Sequence, residues 1–112
     1  MHFVLGYYEI KSSSGAAQHQ SKRMGQYIPT GESISGFPVF EKNGQYLYVA
    51  PDEYWMVGTN TSSTAGGLYN VNVNPTPKLP PIMGWKYWND EWHHDASLTV
   101  TFIPGMFLCF VW

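Results

Sequence analysis

Short stretches of apolar, β-branched and aromatic residues, separated by Gly, Pro, Asn and Asp, follow one another along most of the chain. The clearest pair is 37–42 and 45–50, which flanks Asn43-Gly44. That dipeptide favours a type I′ turn, because both central residues of the turn need a positive φ. The pattern predicts a β-hairpin here and further strands at 26–28, 54–57, 68–73, 84–88 and 98–102.

Helical periodicity is weak throughout the chain. The segment 16–24 lacks an apolar stripe and follows Ser12-Ser13-Ser14-Gly15, which is typical of a polar linker or a long loop. Without a helix to carry a parallel crossover, the strands are expected to pair antiparallel. The predicted fold is therefore all-β, a small antiparallel meander that forms a sandwich or a partly open barrel with no substantial helix.

The composition along the chain predicts three parts. Residues 1–24 form an N-terminal strand and a polar linker, residues 25–102 a Trp/Tyr-rich β domain, and residues 103–112 an apolar C-terminal segment. This last segment is either a closing strand or the truncated end of a longer protein. Because Pro104-Gly105 interrupts it and it is short, no membrane span is expected.

Composition and charge exclude several classes of protein. Hydrophobic residues make up 44% of the 112 residues and charged residues 12%, which argues against intrinsic disorder. The formal net charge is −2, and the only adjacent basic pair is Lys22-Arg23, so no nucleic-acid partner is expected. Cys109 is the single cysteine, which excludes an intramolecular disulfide.

Motifs for catalysis or cofactor binding are absent from the sequence. It contains no G-x-S-x-G, no G-x-x-x-x-G-K-[ST] and no H-E-x-x-H, so we expect a non-enzymatic protein without a cofactor. A pair of carboxylates for glycoside hydrolysis stays open as a third possibility. The carboxylates that could supply it lie in predicted turns: Asp52, Glu53, Asp90, Glu91 and Asp95.

The segment 89–95 holds the densest set of ligand-type side chains. On a strand His93 and His94 point to opposite faces, so both cannot bind one ion. In a loop, His94 with Asp90 or Asp95 could bind a metal, but no second Cys/His pair supports this. The favoured interpretation is a polar hairpin loop and no metal site.

Aromatic side chains are the most informative feature, with five Trp, eight Tyr and six Phe. Strand alternation places Leu47 and Val49 on one face and the tyrosines of 45–50 on the other. In 68–73, Tyr69, Val71 and Val73 form the apolar face, while Asn70 and Asn72 share the face of Leu68. We expect a core that contains Trp55, Trp85 and Tyr87, and an exposed aromatic platform that includes Tyr46, Tyr48, Tyr54, Trp88 and Trp92.

Six short blocks, taken together, resemble a small Trp/Tyr-rich module that recurs in multidomain, often extracellular, proteins of animals and protists. The blocks are GFPVF at 36–40, YLY at 46–48, WMVG at 55–58, GGLY at 66–69, WKYW at 85–88 and DASLTV at 95–100. The resemblance covers residues 25–101, whereas 3–21 and 103–112 depart from the pattern. It implies a stand-alone or repeated interaction domain without catalytic residues. The compartment stays open, and an extracellular position as part of a longer protein is one option.

The leading functional hypothesis is a non-enzymatic recognition module that binds a glycan or a protein partner through exposed aromatic side chains. A structural or spacer domain of a longer protein is the alternative, and a carboxylate-dependent hydrolase is the third. Burial of Trp88 and Trp92 within the monomer would favour the spacer.

Overall fold

The computed structural model describes residues 6–73 and 79–104, and of Val73 only the backbone. Within these residues the chain forms one short α-helix, α1 (Gly15–His19), a 3₁₀ helix (Ser21–Arg23) and nine β-strands. Neither described helix is long and apolar enough to cross a membrane. The strands are β1 (Gly6–Lys11), β2 (Gly25–Ile34), β3 (Phe37–Lys42), β4 (Gln45–Val49), β5 (Tyr54–Gly58), β6 (Leu68–Val73), β7 (Trp85–Trp88), β8 (Trp92–His94) and β9 (Thr99–Pro104).

All nine strands belong to one antiparallel sheet that curls into a half-barrel, in the order β8-β7-β6-β5-β4-β3-β2-β1-β9. Consecutive strands are neighbours from β1 to β8, and only β9 joins out of order, beside β1. The prediction of an antiparallel meander in a partly open barrel without a substantial helix is confirmed. The N-terminal strand thus lies inside the sheet, between β2 and β9.

The turn at Asn43-Gly44 has the predicted backbone. Its φ values are 47° at Asn43 and 82° at Gly44, as a type I′ turn requires. The hairpin that it closes pairs Phe40 with Leu47 and Lys42 with Gln45. Strand β2 differs from the expectation, because it continues past Pro29 through a shift of register between Pro29 and Ser33.

The expected polar linker at 16–24 contains α1 and the 3₁₀ helix. Ala16 is fully buried in the core of the half-barrel, although the segment has no apolar stripe. The helix also approaches β7 closely, since an added Cβ on Gly15 would clash with the Tyr87 hydroxyl oxygen. The position of α1 is therefore determined by contacts of Gly15 and Ala16 with the sheet and not by an apolar stripe along the helix.

The inner, concave face of the sheet holds the main hydrophobic core. Trp55 and Trp85 are fully buried there, and the partly buried Tyr87 packs against this core, as the sequence predicted. Burying rings of this size contributes about 25 cal/mol per Å² of apolar surface, so they supply much of the stabilisation. The other buried members are Tyr8, Ile10, Ala16, Tyr27, Phe40, Leu47, Val49, Val57, Leu68, Leu98 and Val100.

The face of strand β6 that packs on the core is not its more apolar face. Leu68 and Asn70 point inward and are fully buried, whereas Val71 is 42% exposed. Asn70 tolerates burial because its Nδ2 donates to the Met83 carbonyl oxygen at 2.8 Å and its Oδ1 accepts from the Asn72 backbone N–H at 2.9 Å. Alternation alone could not identify the inner face here.

Asp95 is a buried carboxylate that joins the β1–α1 connection to the β8–β9 connection. Its Oδ2 accepts hydrogen bonds from Ser12 Oγ at 2.7 Å and from the Ala16 backbone N–H at 3.0 Å. Its Oδ1 accepts from Ser14 Oγ at 2.9 Å, and from the backbone N–H and Oγ of Ser97 at 2.9 and 2.6 Å. The Asp95 side chain therefore links residues 12–16 to the connection between β8 and β9, which lies far away in the sequence.

The hydrogen bonds of Asp95 also determine its ionisation. Burial by itself raises the pKa of the carboxyl group, but the bonds from Ser97, from the Ala16 backbone and from Ser12 and Ser14 lower it. The balance holds the pKa of Asp95 well below its usual range. The carboxylate is therefore ionised in the folded protein at neutral pH.

Exchanging Asp95 for asparagine is expected to destabilise the fold. Each carboxylate oxygen accepts one backbone N–H that cannot turn away, so the amide group of Asp95→Asn must face either Ala16 or Ser97. We expect the free energy of unfolding in urea to fall by about 3 kcal/mol. The exposed turn residue Asp90, changed to Asn, provides the control, and equal stability of the two variants would contradict the role of Asp95.

Acid is expected to weaken the protein through the same group. Because the pKa of Asp95 is lower in the folded than in the unfolded chain, its ionised form contributes stability in full above about pH 4. That contribution is lost as the pH falls from there through the folded pKa. Urea midpoints measured from neutral to acid pH should therefore decline more in the wild type than in Asp95→Asn, and parallel curves would refute the linkage.

Candidate binding surface on the outer face

A second, smaller cluster of buried residues lies on the outer face of the sheet: Val39, Tyr48, Ala50 and Met56. Residues 59–66, between β5 and β6, lie against this cluster. Their approach depends on small residues, since a Cβ on Gly66 would lie 2.7 Å from both Met56 Cγ and the Val57 carbonyl oxygen. The β5–β6 loop therefore covers part of the outer face.

Tyr48 lies under this loop and is not part of an exposed platform. Its side chain is fully buried, and its hydroxyl donates to the Ser63 carbonyl oxygen at 2.8 Å. Burial, and to a smaller extent the negative charge of Asp52, raise the pKa of Tyr48, while the positive charge of Arg23 acts in the opposite direction. Alternation placed the ring on the correct face, but the covering loop comes from another part of the chain.

Four aromatic side chains on this face form a continuous series, which we call the aromatic row: Tyr54, Tyr69, Trp92 and Trp88. The ring centroids of Tyr54 and Tyr69 are 5.7 Å apart, those of Tyr69 and Trp92 4.5 Å, and those of Trp92 and Trp88 5.3 Å. The row crosses β5, β6, β8 and β7. It unites three of the five predicted platform residues with Tyr69.

Neighbouring rings of the row are close to perpendicular. The interplanar angle is 89° for Tyr54 and Tyr69, and 73° for both Tyr69–Trp92 and Trp92–Trp88. Two perpendicular rings cannot both lie flat on a surface, so the row is not a flat stacking platform. Edge-to-face contacts of this kind add about 0.5–1.5 kcal/mol per pair, which stabilises the arrangement.

At the Trp88 end of the aromatic row, hydrogen bonds fix the backbone of Trp88. Its N–H donates to the Gly67 carbonyl oxygen at 2.9 Å, and its carbonyl oxygen accepts from Gln20 Nε2 at 2.6 Å. The indole ring itself is 44% exposed, while Trp92 is half-buried. A fixed backbone thus carries an accessible ring.

Tyr46 is separate from the aromatic row. It lines another depression on the outer face, of about 430 Å³, together with Glu32, Ile34, Val39 and residues 59–61. The structure therefore does not bring Tyr46 together with the other predicted platform residues. Tyr69 joins the aromatic row instead, because the pairing of β6 with β5 sets it opposite Met56. The sequence placed Tyr69 on the apolar face of its strand but not in the platform.

A cleft of about 200 Å³ opens beside three rings of the row. It is lined by Asp52, Tyr54, Met56, Thr64, Tyr69 and Trp92. The Asp52 carboxylate is oriented by the Tyr54 backbone N–H, which donates to its Oδ1 at 3.3 Å. Within the described residues the Oδ2 atom of Asp52 makes no hydrogen bond or ion pair, so it is available to a ligand.

The two adjacent histidines lie on opposite faces of β8. His93 stacks on Tyr87 with ring centroids 5.3 Å apart, while His94 is exposed and pairs with Lys86 across the strands. The neighbouring carboxylate of Asp95 is occupied by its hydrogen bonds. Among residues 6–73 and 79–104, no group of three or more His, Cys, Asp or Glu side chains is placed to hold a metal ion.

The fold and this surface define an all-β domain with one curled antiparallel sheet and an aromatic row on its outer face. No family model, curated protein or solved structure matches the chain. The resemblance to a recurring Trp/Tyr-rich module therefore stays a prediction.

The close passage of the β5–β6 loop over the sheet gives a test of this surface. In Gly66→Ala the new methyl group meets the Met56 side chain and the backbone of Val57, so the loop must move outward. We expect the free energy of unfolding to fall by about 1–3 kcal/mol. Ser62→Ala, in an exposed position of the same loop, should leave stability unchanged, and equal denaturation midpoints for both variants would refute the contact.

Proposed function

We propose that this chain is a non-enzymatic recognition module that binds a glycan or a protein partner through exposed aromatic side chains. The observation that carries the proposal is the aromatic row, in which Tyr54, Tyr69, Trp92 and Trp88 form a continuous series on the outer face. Tyrosine and tryptophan are enriched among the side chains that dominate binding energy, since they bury much apolar area with little loss of conformational freedom.

Polar groups beside the rings support a specific ligand. Asp52 and Thr64 line the same cleft as three rings of the row. Binding sites commonly combine apolar and aromatic walls with a few placed polar groups that orient the ligand. The cleft has this composition.

The perpendicular rings limit how a glycan would bind. Because neighbouring rings of the row are nearly perpendicular, one sugar ring can stack flat on only one of two neighbouring rings. The exposed indole of Trp88 is the most accessible of these stacking positions. A protein partner would instead bury the row as a cluster of anchors.

The two alternative functions receive less support. A spacer domain would bury Trp88 and Trp92 within the monomer, whereas Trp88 is 44% exposed and Trp92 is half-buried. A hydrolase needs two carboxylates that face each other across a deep pocket. The two described clefts each contain a single carboxylate, Asp52 in one and Glu32 in the other.

Removing the rings at the end of the row tests the proposal. We expect Trp88→Ala and Trp92→Ala each to weaken binding about 30-fold, which is typical for a side chain that dominates an interface. Wild type and variants would be screened on glycan arrays and in pull-downs, and dissociation constants would be measured for each ligand found. Tyr46→Ala is the matched control, because it removes a partly buried ring from the same face outside the row.

Two results would contradict the proposal. One is a ligand whose affinity is lost in Tyr46→Ala but kept in both tryptophan variants. The other is silence on the arrays and in pull-downs together with measurable hydrolase activity of the purified chain. Thermal denaturation of every variant separates loss of binding from loss of folding.

A further inference from the structure

One short motif in the β5–β6 loop has no part in the aromatic row. Asn60-Thr61-Ser62 fits Asn-x-Ser/Thr, the acceptor sequence for an N-linked glycan. Of the other asparagines, only Asn74 has a serine or threonine two residues later, and the intervening Pro75 excludes it. The chain therefore contains a single complete acceptor motif, and its use depends on how the fold presents it.

The fold presents this motif at the surface. Asn60 and Ser62 are exposed, and they lie in a tight turn in which the Ser63 backbone N–H donates to the Asn60 carbonyl oxygen at 3.1 Å. The turn is held on the sheet, because the Ser63 carbonyl oxygen accepts from the Tyr48 hydroxyl at 2.8 Å. A bulky group on the Asn60 side chain therefore meets solvent and not the core.

The acceptor nitrogen of Asn60 is free, and the orientation of its amide is defined. The Ser62 backbone N–H donates to Asn60 Oδ1 at 2.9 Å, which leaves Nδ2 on the other side of the amide group. Within the described residues neither Asn60 Nδ2 nor Ser62 Oγ forms a hydrogen bond. The two groups that the motif contributes, the amide nitrogen and the hydroxyl two residues later, are therefore both available to a transferase.

A depression of the outer face lies next to the acceptor. It has a volume of about 430 Å³, and Asn60 lines it together with Tyr46, Glu32 and the threonines on either side of Asn60. The carboxylate and the threonines carry oxygen atoms that can bond to the hydroxyl groups of a sugar, and Tyr46 adds ring surface. The first sugar of a glycan is bonded to Asn60 itself, so it begins at the edge of this depression.

From these observations we propose that Asn60 is an N-glycosylation site and that the first sugar of its glycan lies in the depression beside Tyr46. In the transfer, a bond forms between Asn60 Nδ2 and the anomeric carbon of an oligosaccharide carried on a polyprenyl diphosphate. The bond from that carbon to the diphosphate oxygen breaks, and the diphosphate leaves with the electron pair. The nitrogen gives one proton to a base of the transferase.

Glycosylation at Asn60 is independent of the proposed recognition function. The depression at Asn60 and the cleft beside the aromatic row share no lining residue, although the β5–β6 loop borders both. A sugar on Asn60 and a ligand on the aromatic row thus use separate parts of the outer face. Failure of one leaves the other standing, since the row is tested through Trp88 and Trp92.

Attachment is tested by producing the full chain, behind a cleavable leader, in a eukaryotic secretory host. We expect the intact mass to show one N-linked glycan, which peptide N-glycosidase removes to leave an aspartate at position 60. Asn60→Gln and Ser62→Ala should each lose the glycan completely, because each breaks the motif. Thr61→Ala keeps Asn-x-Ser and is the matched control, so it should keep the glycan.

The position of the first sugar is tested by hydroxyl-radical footprinting of the secreted protein before and after removal of the glycan. We expect the glycan to lower the oxidation of Tyr46, which is only partly buried, because the sugar covers its ring. Oxidation of Trp88, which lies outside the depression, should stay the same.

Each arm has an outcome that would overturn its part of the proposal. A secreted wild type without a glycan, a glycan kept in Ser62→Ala, or one lost in Thr61→Ala would refute the acceptor site. Equal oxidation of Tyr46 with and without the glycan would refute the placement in the depression. Thermal denaturation of all variants checks folding, and Ser62→Ala removes no hydrogen bond of the described residues.

Discussion

The buried carboxylate of Asp95 is the interaction on which the closure of this half-barrel depends. It lies between β8 and β9, and it accepts five hydrogen bonds from residues 12–16 and from Ser97. These bonds fix the first connection of the chain, which carries α1, against the connection between β8 and β9. A second link, from the Val100 backbone N–H to the Ile82 carbonyl oxygen at 3.0 Å, joins β9 to the segment before β7. The fully hydrogen-bonded carboxylate therefore acts together with this backbone bond and with the pairing of β1 and β9 in holding this end of the sheet.

That closed end also supports the outer face. Gln20 Nε2, just after α1, donates to the Trp88 carbonyl oxygen, and the Trp88 N–H donates to the Gly67 carbonyl oxygen, so the backbone of β7 is held by two other segments of the chain. The rings of Trp88 and Trp92 are therefore carried by a strand pair that is fixed although it lies at the edge of the sheet. Rigid support lowers the entropy cost of binding, since the side chains are ordered before a ligand arrives. The proposed recognition surface and the core thus depend on the same few contacts.

Much of the fold could be predicted because local patterns are strong where the strands are regular. The type I′ turn at Asn43-Gly44, the alternation of Tyr46 to Val49 and the core position of Trp55 follow from backbone geometry and from the size of the rings. The strand at Trp92–His94 and the helix α1 were not predicted, because the first is very short and the second is held by contacts of Ala16 rather than by periodicity. For the candidate site, three rings of the aromatic row were predicted, but Tyr48 and Tyr46 were placed with them and Tyr69 was not.

The sequence by itself determined that this chain forms antiparallel strands with aromatic residues on both faces, since alternation and turn chemistry act between near neighbours. Only the tertiary structure decided which rings stay accessible. The loop 59–66 covers Tyr48. The pairing of β5 with β6 brings Tyr69 between Tyr54 and Trp92. The hydrogen bonds of Asn70 allow β6 to turn its Leu68 and Asn70 face, rather than its more apolar face, towards the core. Each of these depends on contacts between residues far apart in the chain, and such contacts leave no periodic trace in the sequence.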